Sequence, residues 1–194
     1  MAKPSSPRGA ARQRVLDASL ELFALHGVSG TSLQMIAARI GVTKAAVYFQ
    51  FRTKEEIVAA LLEEPLCALG RVLDDAERET RRVRRVEVTL QGLVDAVLAN
   101  RRGTAMLIRD PGAALALKQI EAFTVVGERL ESLLLGSRTT REDRVSFAVL
   151  MGGLMQVGVS PYLEDLDDVT LRRILIRVGG RLLGVDDEAG VRQN

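Results

Sequence analysis

The chain is predicted to be all-α, with about nine helices. Three observations carry this. Apolar residues recur at spacings of three and four along nearly the whole chain, and no segment alternates apolar and polar residues as a half-buried strand would. Helix-capping residues stand before these runs, with Gly or Pro after them. The 194 residues are 47% hydrophobic and 27% charged but only 4% aromatic, with no Trp, so the core must be mainly Leu, Val, Ile and Ala. That length suits one or two domains with a substantial core.

Residues 1–9, MAKPSSPRG, are rich in Pro, Ser and Gly and predict a disordered basic arm. The first helix is expected over Arg8–Gly27, with Val15, Ala18, Leu22 and Leu25 on one stripe and Leu16 and Phe23 beside it. His26 in its last turn is a cation tolerated near the negative helix end, since no Cys or second His offers a metal partner. Thr31 and Ser32 can cap a short second helix whose apolar face is Leu33, Ile36, Ala37 and Ile40. Gly41 stands where that helix must stop, in the left-handed conformation that costs Gly nothing. Val42 fills the turn, Thr43 caps the next helix, and Lys44–Gln50 make about two turns of it. Small Ala37, turn-forming Gly41 and apolar Val47 have the spacing that lets two short helices cross closely: a helix-turn-helix. Thr53 caps a long fourth helix running to about Arg82, with Glu55 and Glu56 in its first turn and Pro65 expected to kink it.

A fifth helix is expected near Val86–Asn100 and a sixth near Arg102–Arg109, closed by the turn Asp110–Pro111–Gly112. The seventh spans Ala113–Leu135 and ends at Gly136. Thr140 with Asp143 opens the eighth as a capping box, reaching about Val159, and Asp167 or Asp168 caps a ninth that closes at Leu183–Gly184. The expected organisation is an arm over 1–9, a helix-turn-helix domain over 10–53, a larger helical domain over 54–185 and a polar tail over 186–194.

The stretch RVLDASLELFALHGVSGTSLQMIAARIGVTKAAVYFQFRTKEEIVAALL resembles the amino-terminal domain of the TetR (tetracycline-repressor) family of transcriptional regulators. The matching positions are Leu16, Ala18, Leu22, Phe23, Gly27, Thr31, Ile36, Ala37, Gly41, Val42, Tyr48, Phe51 and Lys54, within roughly residues 12–62. Gln50 departs from the pattern, standing where a His is common. A helix-turn-helix presents the first residues of its second helix to base edges in the major groove. Lys44 can reach a guanine or a phosphate, Ala45 offers a methyl to thymine, and the Tyr48 hydroxyl suits a phosphate. The resemblance adds Thr31, Ser32, Thr43, Phe49, Gln50 and Lys54 as DNA-contact candidates. Val47 and Phe51 are read as core. The partner implied is double-stranded DNA carrying a palindromic operator, and the function implied is a repressor released by a small molecule.

Charge supports this modestly. Residues 1–62 hold eight Lys/Arg against four Asp/Glu, net +4, whereas the rest holds 19 against 21, net −2. The Arg81–Arg85 cluster is read as a solvated junction between helices. So short a reading surface needs a second copy for useful specificity. The eighth helix, apolar almost all round, and the ninth supply the expected homodimer interface, with Leu154, Leu171, Ile174, Leu175, Val178 and Leu182 as candidates. The resemblance also implies an effector cavity, for which Cys67, Leu93, Val97, Met106, Phe123, Val126, Met151 and Met155 are candidate walls. Arg109, Glu121 and Gln156 are its polar candidates.

Enzyme chemistry finds little footing. There is one His, one Cys, no metal-spaced cluster, no P-loop and no Gly-x-Ser-x-Gly, so no catalytic residue, metal or cofactor is expected. The single Cys and the lack of a signal peptide or bilayer-length apolar run predict a cytoplasmic protein that is not in the membrane. The competing reading is a helical ligand carrier or interaction protein without operator binding.

Overall fold

The computed structural model describes residues 7–101, 110 and 116–185. All eight α-helices among them agree with the all-α expectation: α1 Pro7–Gly30, α2 Leu33–Ile40, α3 Lys44–Gln50, α4 Lys54–Arg78, α5 Arg82–Ala99, α6 Glu121–Leu135, α7 Arg141–Gln156 and α8 Asp168–Leu182. A 3-10 turn at Pro161–Leu163 joins α7 to α8. The helix expected near 102–109, the turn at 111–112, Met106 and Arg109, and the tail from 186 lie outside the described residues. None of the described helices is long and apolar enough to cross a membrane.

The chain forms two compact units. The first takes residues up to Glu64 together with 106–120; the second takes Pro65–Ala105 and the chain from Glu121 onward. The division falls inside α4, at Pro65.

Capping chemistry sets most boundaries as expected. Ser32, Thr43 and Asp167 each accept a hydrogen bond from the backbone N–H three residues on, at 2.7–3.2 Å. Thr140 and Asp143 make the full reciprocal box, Thr140 N–H donating to the Asp143 carboxylate at 2.7 Å and Asp143 N–H to Thr140 Oγ1 at 3.1 Å. These bonds hold the Asp143 and Asp167 carboxyls below the ordinary value of 3.8. Because both are lowered in the folded state, the caps act fully above that value and weaken as pH falls through the lowered ones.

Several expectations need correction. Helical backbone starts at Pro7, inside the stretch expected to be disordered. The first helix continues past Gly27 to Gly30, broken at Gly27 by φ 73°, ψ 167°. Leu25 is 75% exposed although it shares a helical stripe with buried Val15, Ala18 and Leu22, and the neighbouring His26 is exposed as well, so burial on this face ends before the last turn ahead of Gly27. α4 passes through Pro65 and ends at Arg78, four residues short of expectation.

The core of the second unit is aliphatic. Leu73, Val86, Leu90, Val94, Leu134 and Leu154 are at most 2% exposed and belong to one cluster. Helices approach closely where Gly allows it. A Cβ on Gly92 of α5 would lie 2.1 Å from Val72 Cγ1 of α4, and one on Gly179 of α8 would lie 2.8 Å from Leu90 Cδ1 of α5. At the rim, Arg129 bridges Asp74 and Glu77 at 2.7 and 2.8 Å, and those bonds raise its pKa further. Arg172 of α8 makes a two-pronged pair with Asp95 of α5.

These contacts predict opposite outcomes for two helical glycines. Gly92→Ala should destabilise by about 1–3 kcal/mol through overpacking against Val72. Gly70→Ala, with open space around its Cα, should stabilise by roughly 0.5–1 kcal/mol. Urea denaturation of the two variants checks the pair.

Candidate nucleic-acid interface

The seven residues of α3 are too few to be stable alone, so the helix depends on how it is seated. α2 ends with Gly41 at φ 70°, ψ 36°; Gly41 N–H donates to Ala38 O at 3.3 Å and Val42 N–H to Ala37 O at 3.0 Å. That paired closure turns the chain sharply into Thr43, which caps α3. Val47 is fully buried and Phe51 is 3% exposed, fixing the inner face of α3. Both are core, as expected. Lys44, Ala45, Ala46, Tyr48 and Phe49 are then exposed on the outer face, Phe49 to 85%.

The expected contact residues separate into two groups. Ser32, Thr43, Lys44, Ala45, Tyr48 and Phe49 are exposed and Gln50 half-buried, Ser32 at the start of α2 and the others capping or within α3. Ser32 and Thr43 use a hydroxyl lone pair in capping, and each hydroxyl keeps a proton to donate. Thr31 belongs elsewhere: it is 2% exposed, and its hydroxyl is within 2.7 Å of Gly27 O and 3.3 Å of Leu22 O. It closes the turn after α1 and presents no side-chain face to a ligand. Lys54, at the start of α4, donates to Val28 O at 2.5 Å and Ser29 O at 3.2 Å, so its ammonium chiefly ties the same turn.

The basic excess of this region is also largely committed. Arg39 pairs with Glu21 at 2.7 Å, Arg14 donates to Ile40 O at 3.0 Å, and Arg12 lies over the Phe51 ring and 3.8 Å from Glu63. Among the described residues of this unit, Lys44, Arg52 and Lys118 are the exposed Lys/Arg side chains without a hydrogen-bond or ion-pair partner, and of these Lys44 and Arg52 lie on or directly after α3. Arg52 was missed in the sequence because it falls just beyond α3; its position one residue after buried Phe51 was the available signal. A groove of about 220 Å³ beside α3, lined by Ala11, Arg14, Val42, Ala46, Phe49 and Gln50 among others, leaves the Phe49 ring free.

In the second unit the effector candidates do not converge on one surface. Leu93 and Val126 are buried in the aliphatic cluster, and Val97 and Met151 pack against it. Phe123 and Met155 are half-buried, whereas Cys67 is exposed with Arg71 Nη1 3.3 Å from its sulfur. Glu121 and Gln156 are exposed. A groove of about 650 Å³ between α5 and α8, lined by Leu90, Gln91, Ile176 and Arg177 among others, includes none of these candidates.

The dimer candidates also shift. Leu154 and Leu171, 2% and 1% exposed, are buried within their own chain and have no surface to offer a partner. Leu175 and Leu182 pack partly against the core, Ile174 is half-buried, and Val178 is 45% exposed. The outward face of α7 is instead Val145, Ala148, Val149, Gly152, Gly153 and Gln156, all exposed at helical spacing. Among the described residues no group of three His, Cys, Asp or Glu is placed to hold a metal.

Comparison with known proteins accords with this geometry. Residues 15–61 match the family described as bacterial regulatory proteins, tetR family. Over 51 residues the chain is 49% identical to the HTH-type transcriptional regulator SrpR of Pseudomonas putida, covering 26% of this chain and 24% of that one. Over 52 residues it is 44% identical to the regulator AcrR of Shigella flexneri, covering 27% and 24%. The chain therefore spans about a quarter of the length of these curated relatives. Whole-chain likeness is one of fold. A structure of the fatty acid degradation regulator FadR from Bacillus halodurans superposes with TM-score 0.65 at 21% identity, covering 99% of this chain and 100% of that one. A TetR-family member from Streptomyces coelicolor A3 gives 0.66 at 18%, covering 97% and 94%.

If Lys44 meets a phosphate, Lys44→Ala should weaken binding to all duplexes alike and reduce the salt slope by about one unit. If it reads guanine, the loss should be about 1–3 kcal/mol at one base position. Titration at several salt concentrations separates the two, and unchanged affinity in Lys44→Ala/Tyr48→Ala would displace α3 as the reading helix.

Proposed function

We propose, on the match of residues 15–61 to the tetR family of bacterial regulatory proteins, that this protein is a sequence-specific DNA-binding transcriptional regulator, a repressor released from a palindromic operator by a small molecule. The observation that carries the reading is the exposed outer face of α3, with Lys44, Ala45 and Tyr48 outward while Val47 locks the inner face. Helix-turn-helix proteins place such a face in the major groove. Lys44 and Arg52 supply cations that are not committed within the chain, and the α3 cap hydroxyls supply short polar contacts.

Homodimerisation supplies the second half-site. The outer stripe of α7 supports it: Val145 and Val149 are 62% and 55% exposed, with Ala148, Gly152 and Gly153 between and after them. Small residues beside exposed valines let a helix from a second copy approach closely, burying apolar surface that now faces water. Val178 of α8 extends the candidate surface. Half-sites one helical turn apart, roughly 34–36 Å, would then be read by two copies of α3.

Effector control draws on half-buried side chains of the second unit. Phe123, Met151 and Met155 are half-buried rather than sealed in the core, and Met adapts readily to irregular ligands. An effector acts only through its different affinity for the DNA-bound and released states, typically about 1–3 kcal/mol of coupling.

Two experiments test these parts. Val149→Glu places an unpaired charge on a residue that a monomer leaves in water, so the fold should survive while the dimer dissociates and two-half-site binding collapses. Sedimentation and anisotropy titration check this; a wild-type monomer at micromolar concentration would end the dimer reading. Phe123→Ala and Met155→Ala should alter effector response with ligand-free DNA binding nearly intact. If both merely lower the melting temperature, those residues are core and the pocket lies elsewhere.

A further inference from the structure

The turn that closes α1 is held by a residue 81 positions away in sequence. Asp110 is 5% exposed, and its carboxylate accepts from Ser29 N–H at 2.7 Å and from the Ser29 hydroxyl at 3.0 Å. A Cβ on Gly27 would lie 2.6 Å from Asp110 Oδ2, so the carboxylate occupies the space that a glycine leaves open. Gly27 also has φ 73°, a left-handed value that favours glycine by itself. Two independent features of one residue therefore serve this contact.

The same few residues gather other bonds. Lys54 Nζ donates to Val28 O and Ser29 O, and the Thr31 hydroxyl donates to Gly27 O. An acid and a base thus grip opposite backbone polarities of one turn, the carboxylate its N–H and the ammonium its carbonyls. Directly after it comes Ser32, the cap of α2, and α2 sets α3 through the Gly41 corner. Asp110 belongs to the 106–120 excursion of the first unit, whose neighbours in sequence on both sides, up to 105 and from 121, belong to the second. Ala116 and Leu117 of the same excursion are buried, at 3% and 6% exposure.

We propose that Asp110 is a positioning residue for DNA reading: its carboxylate holds the Gly27–Gly30 turn in the geometry that seats α2 and α3, and withdrawing it lowers DNA affinity without removing any DNA contact. A buried carboxylate accepting from a backbone N–H is among the stronger hydrogen bonds, and its loss leaves that N–H unsatisfied. The inference rests on the DNA-binding reading above.

The experiment measures duplex affinity, using a sequence selected by the wild-type protein, for Asp110→Asn, Asp110→Ala, Gly27→Ala and the Gly27→Ala/Asp110→Ala double variant. Asp110→Ala should lose about 10- to 100-fold in affinity, and Asp110→Asn, which keeps one acceptor oxygen, should lose less. The salt slope should stay at its wild-type value, because no phosphate contact is removed. Gly27→Ala should weaken binding both by displacing the carboxylate and through its left-handed φ, and should cost less in the Asp110→Ala background, where only the backbone strain remains. Amide exchange should quicken at Ser29 and Met35 while Val15–Phe23 stays protected, which separates repositioning from unfolding. Wild-type affinity in Asp110→Ala, or additive losses in the double variant, would overturn the inference and leave DNA binding standing. A wild-type protein that selects no duplex would remove the DNA-binding reading instead. In that event the coupling of Gly27 and Asp110, read by exchange at Ser29, still tests the turn: coupled exchange upholds the clamp and uncoupled exchange overturns it.

Discussion

The proposed reading surface depends on burying one face of a helix too short to stand alone. α3 has seven residues, and an isolated helix of that length does not persist in water. Val47 and Phe51 hold it against the first unit, Thr43 begins it, and the Gly41 corner aims it. Everything that fixes α2 therefore fixes α3. The chain ahead of α2 is the Gly27–Thr31 turn, where the Thr31 hydroxyl, the Lys54 ammonium and the Asp110 carboxylate converge. Polar groups that a scan for DNA contacts would assign to phosphate are instead spent on geometry. That division is physically sensible: a duplex contact is useful only if its donor is already in place when the duplex arrives.

Much of this was legible in the residues themselves. Local chemistry writes itself into local sequence, so Ser32, Thr43, the Thr140–Asp143 box and Asp167 marked helix starts, and Gly41, Gly136 and Gly184 marked ends, each with positive φ. Exposed Lys44 and Tyr48 and buried Val47 followed from period and motif together.

What could not be read depended on distant partners. Thr31 and Lys54 stand where a contact residue would, and only the folded turn shows their groups aimed inward at backbone carbonyls. Asp110 looked like ordinary turn chemistry before Pro111, with nothing nearby to announce Ser29 as its partner. Leu154 and Leu171 share helices with outward-facing residues, and an almost uniformly apolar helix hides which side meets its own core. The small residues Ala148, Gly152 and Gly153 gave little hydrophobic signal although they lie on the exposed side of α7. Each unit has its own buried apolar residues, Phe23, Ile36, Val47 and Ile57 in the first and an aliphatic cluster rimmed by the Arg129 and Arg172 pairs in the second.

The most direct measurement of DNA recognition is selection of bound duplexes from a random-sequence pool by the full chain, followed by competition titration of the enriched duplex at fixed salt. A sequence-reading protein should enrich a two-fold symmetric motif and bind it at least about 10³-fold more tightly than a scrambled duplex of equal length. Recovery of no common motif, with all duplexes bound equally weakly and strongly salt-dependently, would contradict it and leave only nonspecific attraction to phosphate.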